Sequence, residues 1–219
     1  MIGNTGMSGA AKPPVMSWGA RRVLGRLRRL LFPPPPEPTV GVHERPPFTL
    51  TQGSVQPDEA VFLKRLVELA NGLDGPIIEV GALFGMTTIR LAQWKRPGKP
   101  LLAVDNFAWN PLQLTPAEHL ELTRGVLGYL LAIGEVSIVQ QGKNEFYESY
   151  SGPPPALVFL DAIHTYEETK LDIEWALRAG AQLISGHDYS PDFPGVVQAV
   201  EECGGLRERG GTVWLLSRP

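Results

Sequence analysis

The chain has a single cysteine, Cys203, in 219 residues. That excludes an internal disulfide framework and a multi-cysteine zinc site, and it favours a reducing compartment, so the cytoplasm is the expected location. Long apolar runs are missing too. No stretch approaches the roughly eighteen residues needed to cross a bilayer. The start, MIGNTGMSGAAKPP, has no charged segment leading into an apolar one, so neither a span nor a signal peptide is expected. Positive charge is scarce in the body. Residues 1–47 hold seven Lys/Arg against two Glu, which leaves, from totals of 20 and 23, 13 basic and 21 acidic residues after position 47. An acidic body offers no cationic stripe for phosphates, so no nucleic-acid partner is expected.

What the chain does have is unevenly placed. Nine of its 21 prolines precede residue 48. SWGARRVLGRLRRLLFPPPPEP reads as a short basic amphipathic helix over residues 17–32, stopped by four prolines that begin a stiff spacer. Such a stretch suits peripheral contact with an anionic membrane or a protein partner, and the plainer alternative is a solvated extension. Residues 1–47 are therefore read as a basic, Pro-rich extension and 48–219 as one folded domain.

In that domain short apolar runs alternate with helical periodicity. Phe62, Leu66, Leu69 and Leu73 recur at helical spacing in a lead-in helix that starts at QPDE. PIIEVG, LLAVD, VSIVQ, ALVFLD and AQLISG then read as strands, each followed by a helix, and LRERGGTVWLLS ends the chain as a strand pair turning at GG. This predicts an α/β fold, a Rossmann-like doubly wound sheet that is mostly parallel with a C-terminal antiparallel strand pair.

Ligands of such sheets sit beyond the carboxyl ends of the strands. The residues there are Glu79 and Gly81, Asp105, Asp161, and His187 with Asp188. The glycines of EVGALFG are four apart, which is not the dinucleotide spacing. Gly81 permits a sharp strand exit, and Gly85 permits close approach at the following helix. Asp105 has the paired acceptors that a ribose diol requires. For Asp161 and Asp188 the bland alternative is helix capping. His164 with Tyr166 could equally serve core hydrogen bonding, and Trp109, in the aperiodic NFAWNPLQLTPAEH, is either lid or surface loop.

Taken together, E-x-G-x-x-x-G at Glu79, Gly81 and Gly85, an acid ending the second strand and the terminal strand pair resemble class I S-adenosylmethionine-dependent methyltransferases over residues 56–217. The string from FLDAIHTY to GHDY is similar to the bacterial metal-dependent sugar O-methyltransferases of macrolide and aminocoumarin biosynthesis. The resemblance implies cofactor contacts from Glu79, Gly81, Gly85, Thr87, Asp105, Asn106 and Asp161, a Mg2+ or Mn2+ ion on Asp161 and Asp188, and catalysis by His187, His164 and Asp161. It also implies a polyhydroxylated small-molecule acceptor and suits a homo-oligomer. This sequence departs from the family with His187 where relatives often carry an acid and Ala162 where glycine is common. His187 is thus either a ligand or a hydrogen-bonding substitute for the ion. Two other readings stay open: a same-fold enzyme with another reaction, and a catalytically silent binding protein.

Overall fold

The computed structural model describes residues 55–217, so the basic extension lies outside the described residues. Seven strands form one sheet: β1 (Ile77–Val80), β2 (Leu101–Asp105), β3 (Ser137–Gln140), β4 (Leu157–Leu160), β5 (Leu183–Gly186), β6 (Leu206–Gly210) and β7 (Val213–Leu216). Their order is β3-β2-β1-β4-β5-β7-β6. The first five run parallel, and β7 pairs antiparallel with both β5 and β6. The doubly wound sheet with its antiparallel end is thus as read from the alternation of the sequence.

Among the described residues six helices cover the sheet: α1 (Pro57–Asn71), α2 (Met86–Trp94), α3 (Pro116–Ala132), α4 (Lys143–Ser149), α5 (Tyr166–Arg178) and α6 (Pro194–Glu202). Strand alternation divides the core in two. Ile77, Leu101, Ala103, Leu157 and Phe159 face Leu63, Leu66, Leu91 and Leu127 of α1–α3. Ile78, Val80, Val104, Val158 and Leu160 face Phe146, Ile173, Trp175, Val196 and Val200 of α4–α6. Burial on both faces explains why the central strands are continuous apolar runs instead of alternating ones.

The lead-in helix is rotated from its predicted face. Leu63, Leu66, Val67 and Ala70 are buried, whereas Leu69 is 52% exposed. Phe62 and Leu73 pack only at the edge of the core. A stripe through 63, 66, 67 and 70 is an equally regular i, i+3, i+4, i+7 set, and contact with the sheet chooses between the two. No helix among the described residues is long and apolar enough to cross a membrane.

Candidate active site

The first half of the site forms where β1 and β2 end. Gly81 has φ +95°, and a Cβ there would lie 2.1 Å from the carbonyl oxygen of Asp161, so glycine is required by both backbone and neighbour. Gly85 precedes α2 with φ +81°. Its missing side chain makes room for Leu127, since a Cβ would meet Leu127 Cγ at 2.9 Å. Packing within the chain thus requires this glycine, besides any ligand at the helix start. Leu83 and Phe107 also adopt left-handed backbone, at φ 48° and 58°. Asp105 holds both: Leu83 N–H donates to Oδ2 at 2.8 Å and Phe107 N–H to Oδ1 at 2.7 Å. The carbonyls of the same two residues meet one side chain. The fully buried His119 on α3 places Nε2 2.9 Å from Leu83 O and Nδ1 3.2 Å from Phe107 O. Thr123 adds its hydroxyl to Leu83 O at 2.8 Å. Asp105 and His119 therefore close a ring around two strained residues, which fixes the strand-end loops.

Glu79, third residue of β1, is fully buried on the α2 side. Thr88 donates its hydroxyl to Oε2, and Oε1 has no hydrogen-bond partner. Burial pushes the Glu79 carboxyl up to about 8, against the Thr88 hydrogen bond and helped by the charges of Asp161 and Asp105. A neutral carboxyl at physiological pH can donate as well as accept. Thr87 is buried on the first turn of α2, while Asn106 is exposed and uses Oδ1 to accept from Ala108 N–H. Trp109 is 73% exposed. It stands on a loop ordered by the buried Asn110, whose Oδ1 accepts from the N–H groups of Leu112 and Leu114.

The second half forms where β4 and β5 end. Sheet pairing continues beyond both strands, with Asp161 N–H donating to Val80 O of β1 and His187 N–H to Leu160 O of β4. Asp161, His187 and Asp188 are thereby delivered to one place. Asp188 takes a left-handed φ of 63°, which turns its side chain off the strand direction. Neither acid caps a helix: Thr165 caps α5 through Glu168 N–H, and Phe193 stands at the start of α6 without a side-chain cap. His164 Nε2 lies 3.5 Å from Asp161 Oδ1 and 3.1 Å from Asp188 Oδ2. His187 Nδ1 lies 3.7 Å from Asp161 Oδ1 and 3.3 Å from Asp188 Oδ1. These are ion-pair distances without hydrogen-bond alignment, and both nitrogens are buried atoms lacking a hydrogen-bond partner. Tyr166 turns away, donating to Glu202 at the surface.

Glu59, on the first turn of α1, reaches the other side of the His187 ring, with Nε2 3.1 Å from Glu59 Oε2. Glu59 also accepts from Gln56 N–H and from the backbone and hydroxyl of Thr212. Burial would raise its carboxyl, but these hydrogen bonds together lower it to about 2. An ionised carboxylate only accepts, so His187 Nε2 carries a proton. Burial would likewise lower His187, but Asp188, Asp161 and Glu59 outweigh it and push the imidazole up to about 9. His164 is raised too, first by Asp161, against burial and with help from Asp188. Neither Glu59 nor His119 is evident in the sequence as a site residue. Their partners lie 128, 36 and 12 positions away.

Asp161, His187 and Asp188 each offer a ligand atom, all within 4.8 Å of one another. Two carboxylates beside a buried, unpartnered imidazole nitrogen are the donor chemistry of a divalent cation site, so the residues present fit an ion.

The strand order, mostly parallel with an antiparallel pair at its end, is a Rossmann-like α/β sheet of the kind found in solved O-methyltransferases. Solved structures agree. A Bacillus cereus O-methyltransferase in complex with S-adenosylhomocysteine is 17% identical, with TM-score 0.57, covering 90% of this chain and 97% of that one. CalS11, a TDP-rhamnose 3′-O-methyltransferase of calicheamicin biosynthesis, is 19% identical with TM-score 0.56, covering 93% and 96%. TomG of Streptomyces achromogenes, an O-methyltransferase of tomaymycin synthesis, is 16% identical with TM-score 0.53, covering 75% and 84%. At these identities the likeness is one of fold. No family model and no curated protein matches the chain.

Proposed function

We propose that the protein is an S-adenosylmethionine-dependent O-methyltransferase acting on a polyhydroxylated small molecule such as a sugar, with a divalent cation on Asp161, His187 and Asp188. The observation that carries this reading is the convergence of these three residues and His164 beside the Gly81 turn, with two buried imidazole nitrogens aimed at the acids. The likeness to CalS11, which acts on a TDP-sugar, supports the acceptor class.

Bound S-adenosylmethionine supplies an electrophilic methyl group, and the cation polarises an acceptor hydroxyl. The chain's own residues do the rest. Asp105, with its remaining lone pairs, accepts from the cofactor ribose, and the loops it fixes with His119 shape the surrounding pocket. Asp161 and Asp188 orient the acceptor. His164 Nε2, pointing between them, takes the hydroxyl proton, and the two carboxylates stabilise the resulting imidazolium. His187 is held against Glu59 and acts as a ligand instead of a base.

The test is calorimetric titration with S-adenosylmethionine and S-adenosylhomocysteine, followed by labelled-methyl transfer to a panel of nucleotide sugars with magnesium or manganese and after chelation. Cofactor binding and metal-dependent labelling are expected, while absence of cofactor binding sinks the reading. His164→Gln should lower kcat by about 10²–10⁴-fold with cofactor affinity unchanged. An unaltered kcat would remove His164 as the base. Binding of the cofactor without labelling of any acceptor would favour a same-fold enzyme with another reaction.

A further inference from the structure

We propose that Glu59 is a positioning residue that holds His187 with Nδ1 inward, so that the cation site carries a nitrogen ligand and takes a first-row transition ion in preference to Mg2+. This rests on the cation reading above and concerns which ion the site selects and what selects it.

Glu59 comes from α1, ahead of every strand, and belongs to neither the glycine turn nor the strand-end acids. Its carboxylate is not free to enter the site. Oε1 is taken by the backbone and hydroxyl of Thr212, both at 2.7 Å, and Oε2 by Gln56 N–H at 2.8 Å. What remains of Oε2 accepts the proton of His187 Nε2. The backbone that carries the ring is held as well, since Trp214 Nε1–H donates to the His187 carbonyl at 3.0 Å. With Nε2–H committed to Glu59, the lone pair of a neutral ring sits on Nδ1, the atom that faces Asp161 and Asp188 and has no hydrogen-bond partner. This carboxylate–histidine relay fixes tautomer and ring orientation and raises the basicity of the ligating nitrogen. Magnesium takes oxygen ligands in near-ideal octahedra, whereas imidazole suits later divalent ions. One nitrogen beside two carboxylates therefore favours the transition ion.

The experiment uses the full-length protein stripped with a chelator, with Mn2+ and Mg2+ titrated separately by calorimetry in the absence of substrate. Pulsed EPR of the Mn2+ form reads nitrogen coupling to the ion. Wild type should bind Mn2+ at least about tenfold more tightly than Mg2+ and show imidazole nitrogen coupling. Glu59→Gln should weaken Mn2+ binding by about 10–100-fold, with a smaller effect on Mg2+. Glu59→Asp keeps the charge at the start of α1 but shortens the reach to His187, so it should lose the same preference if the glutamine variant fails to fold. His187→Asp should abolish the nitrogen signal and bring the two ions to similar affinity. Unchanged Mn2+ affinity in folded Glu59 variants overturns the role of Glu59. Absence of nitrogen coupling in wild type overturns the nitrogen ligand. Failure of wild type to bind either ion overturns the cation reading itself, which is a separate result.

Discussion

At the ends of β1 and β2 the acid Asp105 has both oxygens engaged by backbone N–H groups, and His119 meets the carbonyls of the same two residues. At the ends of β4 and β5 two acids and two imidazoles converge, yet two ring nitrogens stay buried without a hydrogen-bond partner. One half of the edge spends its polar groups on holding its own loops in shape. The other leaves two ring nitrogens without hydrogen-bond partners beside its acids, a gap in polar pairing that a cation or a reacting proton would complete. Under the proposed function, shape complementarity and chemistry fall to different strand pairs of one sheet.

Gly81 is where the halves touch, so changing it should do the most damage. Gly81→Ala forces a Cβ to within 2.1 Å of the Asp161 carbonyl and strains a φ of +95°. Backbone on both sides cannot yield cheaply, and a loss of roughly 3–5 kcal/mol is expected. Denaturant unfolding measures it, and cofactor and cation affinities should fall together. A stable variant with only one affinity reduced would show that the two halves are less coupled than the contact implies.

The halves also titrate in different windows. Glu79 is raised from 4.5 to about 8, so in the metal-free protein its contribution is fully present below 4.5 and is lost as pH rises toward 8. His187 is raised from 6.5 to about 9, so its contribution is present below 6.5 and lost as pH rises through 9. Glu59, lowered to about 2, stabilises above 4.5 and loses that effect as pH falls through 2. Stability without metal should therefore peak near pH 5, by these three groups, and decline into the alkaline range. The His187 part amounts to on the order of 3 kcal/mol. Unfolding followed from pH 5 to 9 after chelation tests this: Glu79→Gln should flatten the lower part of the decline and His187→Asn the upper part. A profile unchanged by His187→Asn would mean that the acids around it are screened.

The strand-end logic explains what could be read from sequence alone. Asp161 and Asp188 were legible because each ends an apolar run, and the strand order implied by the family resemblance makes those runs neighbours, as β4 and β5 are. Gly81 and Asp105 were legible for the same reason. The rotation of α1 was not, because Leu66 belongs to both possible stripes and only packing on the sheet separates Leu63 from Leu69. Glu59 was concealed by an adequate local role: it follows Gln56 by three in a capping box, which accounts for a glutamate at that position without any distant partner. His119 follows a capped helix start in the same way, and its acceptors are carbonyls, which no side-chain pattern reveals.

The smallest effect should come from His119, and it is the most discriminating. His119 packs between the rings of Phe84 and Phe107, with centroids 4.8 and 5.1 Å away, so His119→Phe conserves an aromatic side chain of similar size while deleting both polar contacts. A neutral imidazole carries one ring proton and so donates to one of the two carbonyls, and Leu83 O keeps the Thr123 hydroxyl in either case. One lost hydrogen bond is worth about 1 kcal/mol, and loosening the ring around Leu83 and Phe107 should weaken S-adenosylmethionine binding by about tenfold. Asp161, His187 and Asp188 make none of these contacts, so Mn2+ affinity should stay at the wild-type value. Calorimetry with cofactor and with Mn2+ on the same preparation separates the outcomes. A fall in cofactor affinity alone establishes that the loops at β1 and β2 are held for the cofactor independently of the acids. An equal fall in both would mean that strain at Leu83 and Phe107 is transmitted through Gly81 to Asp161, and that the two halves form one cooperative unit.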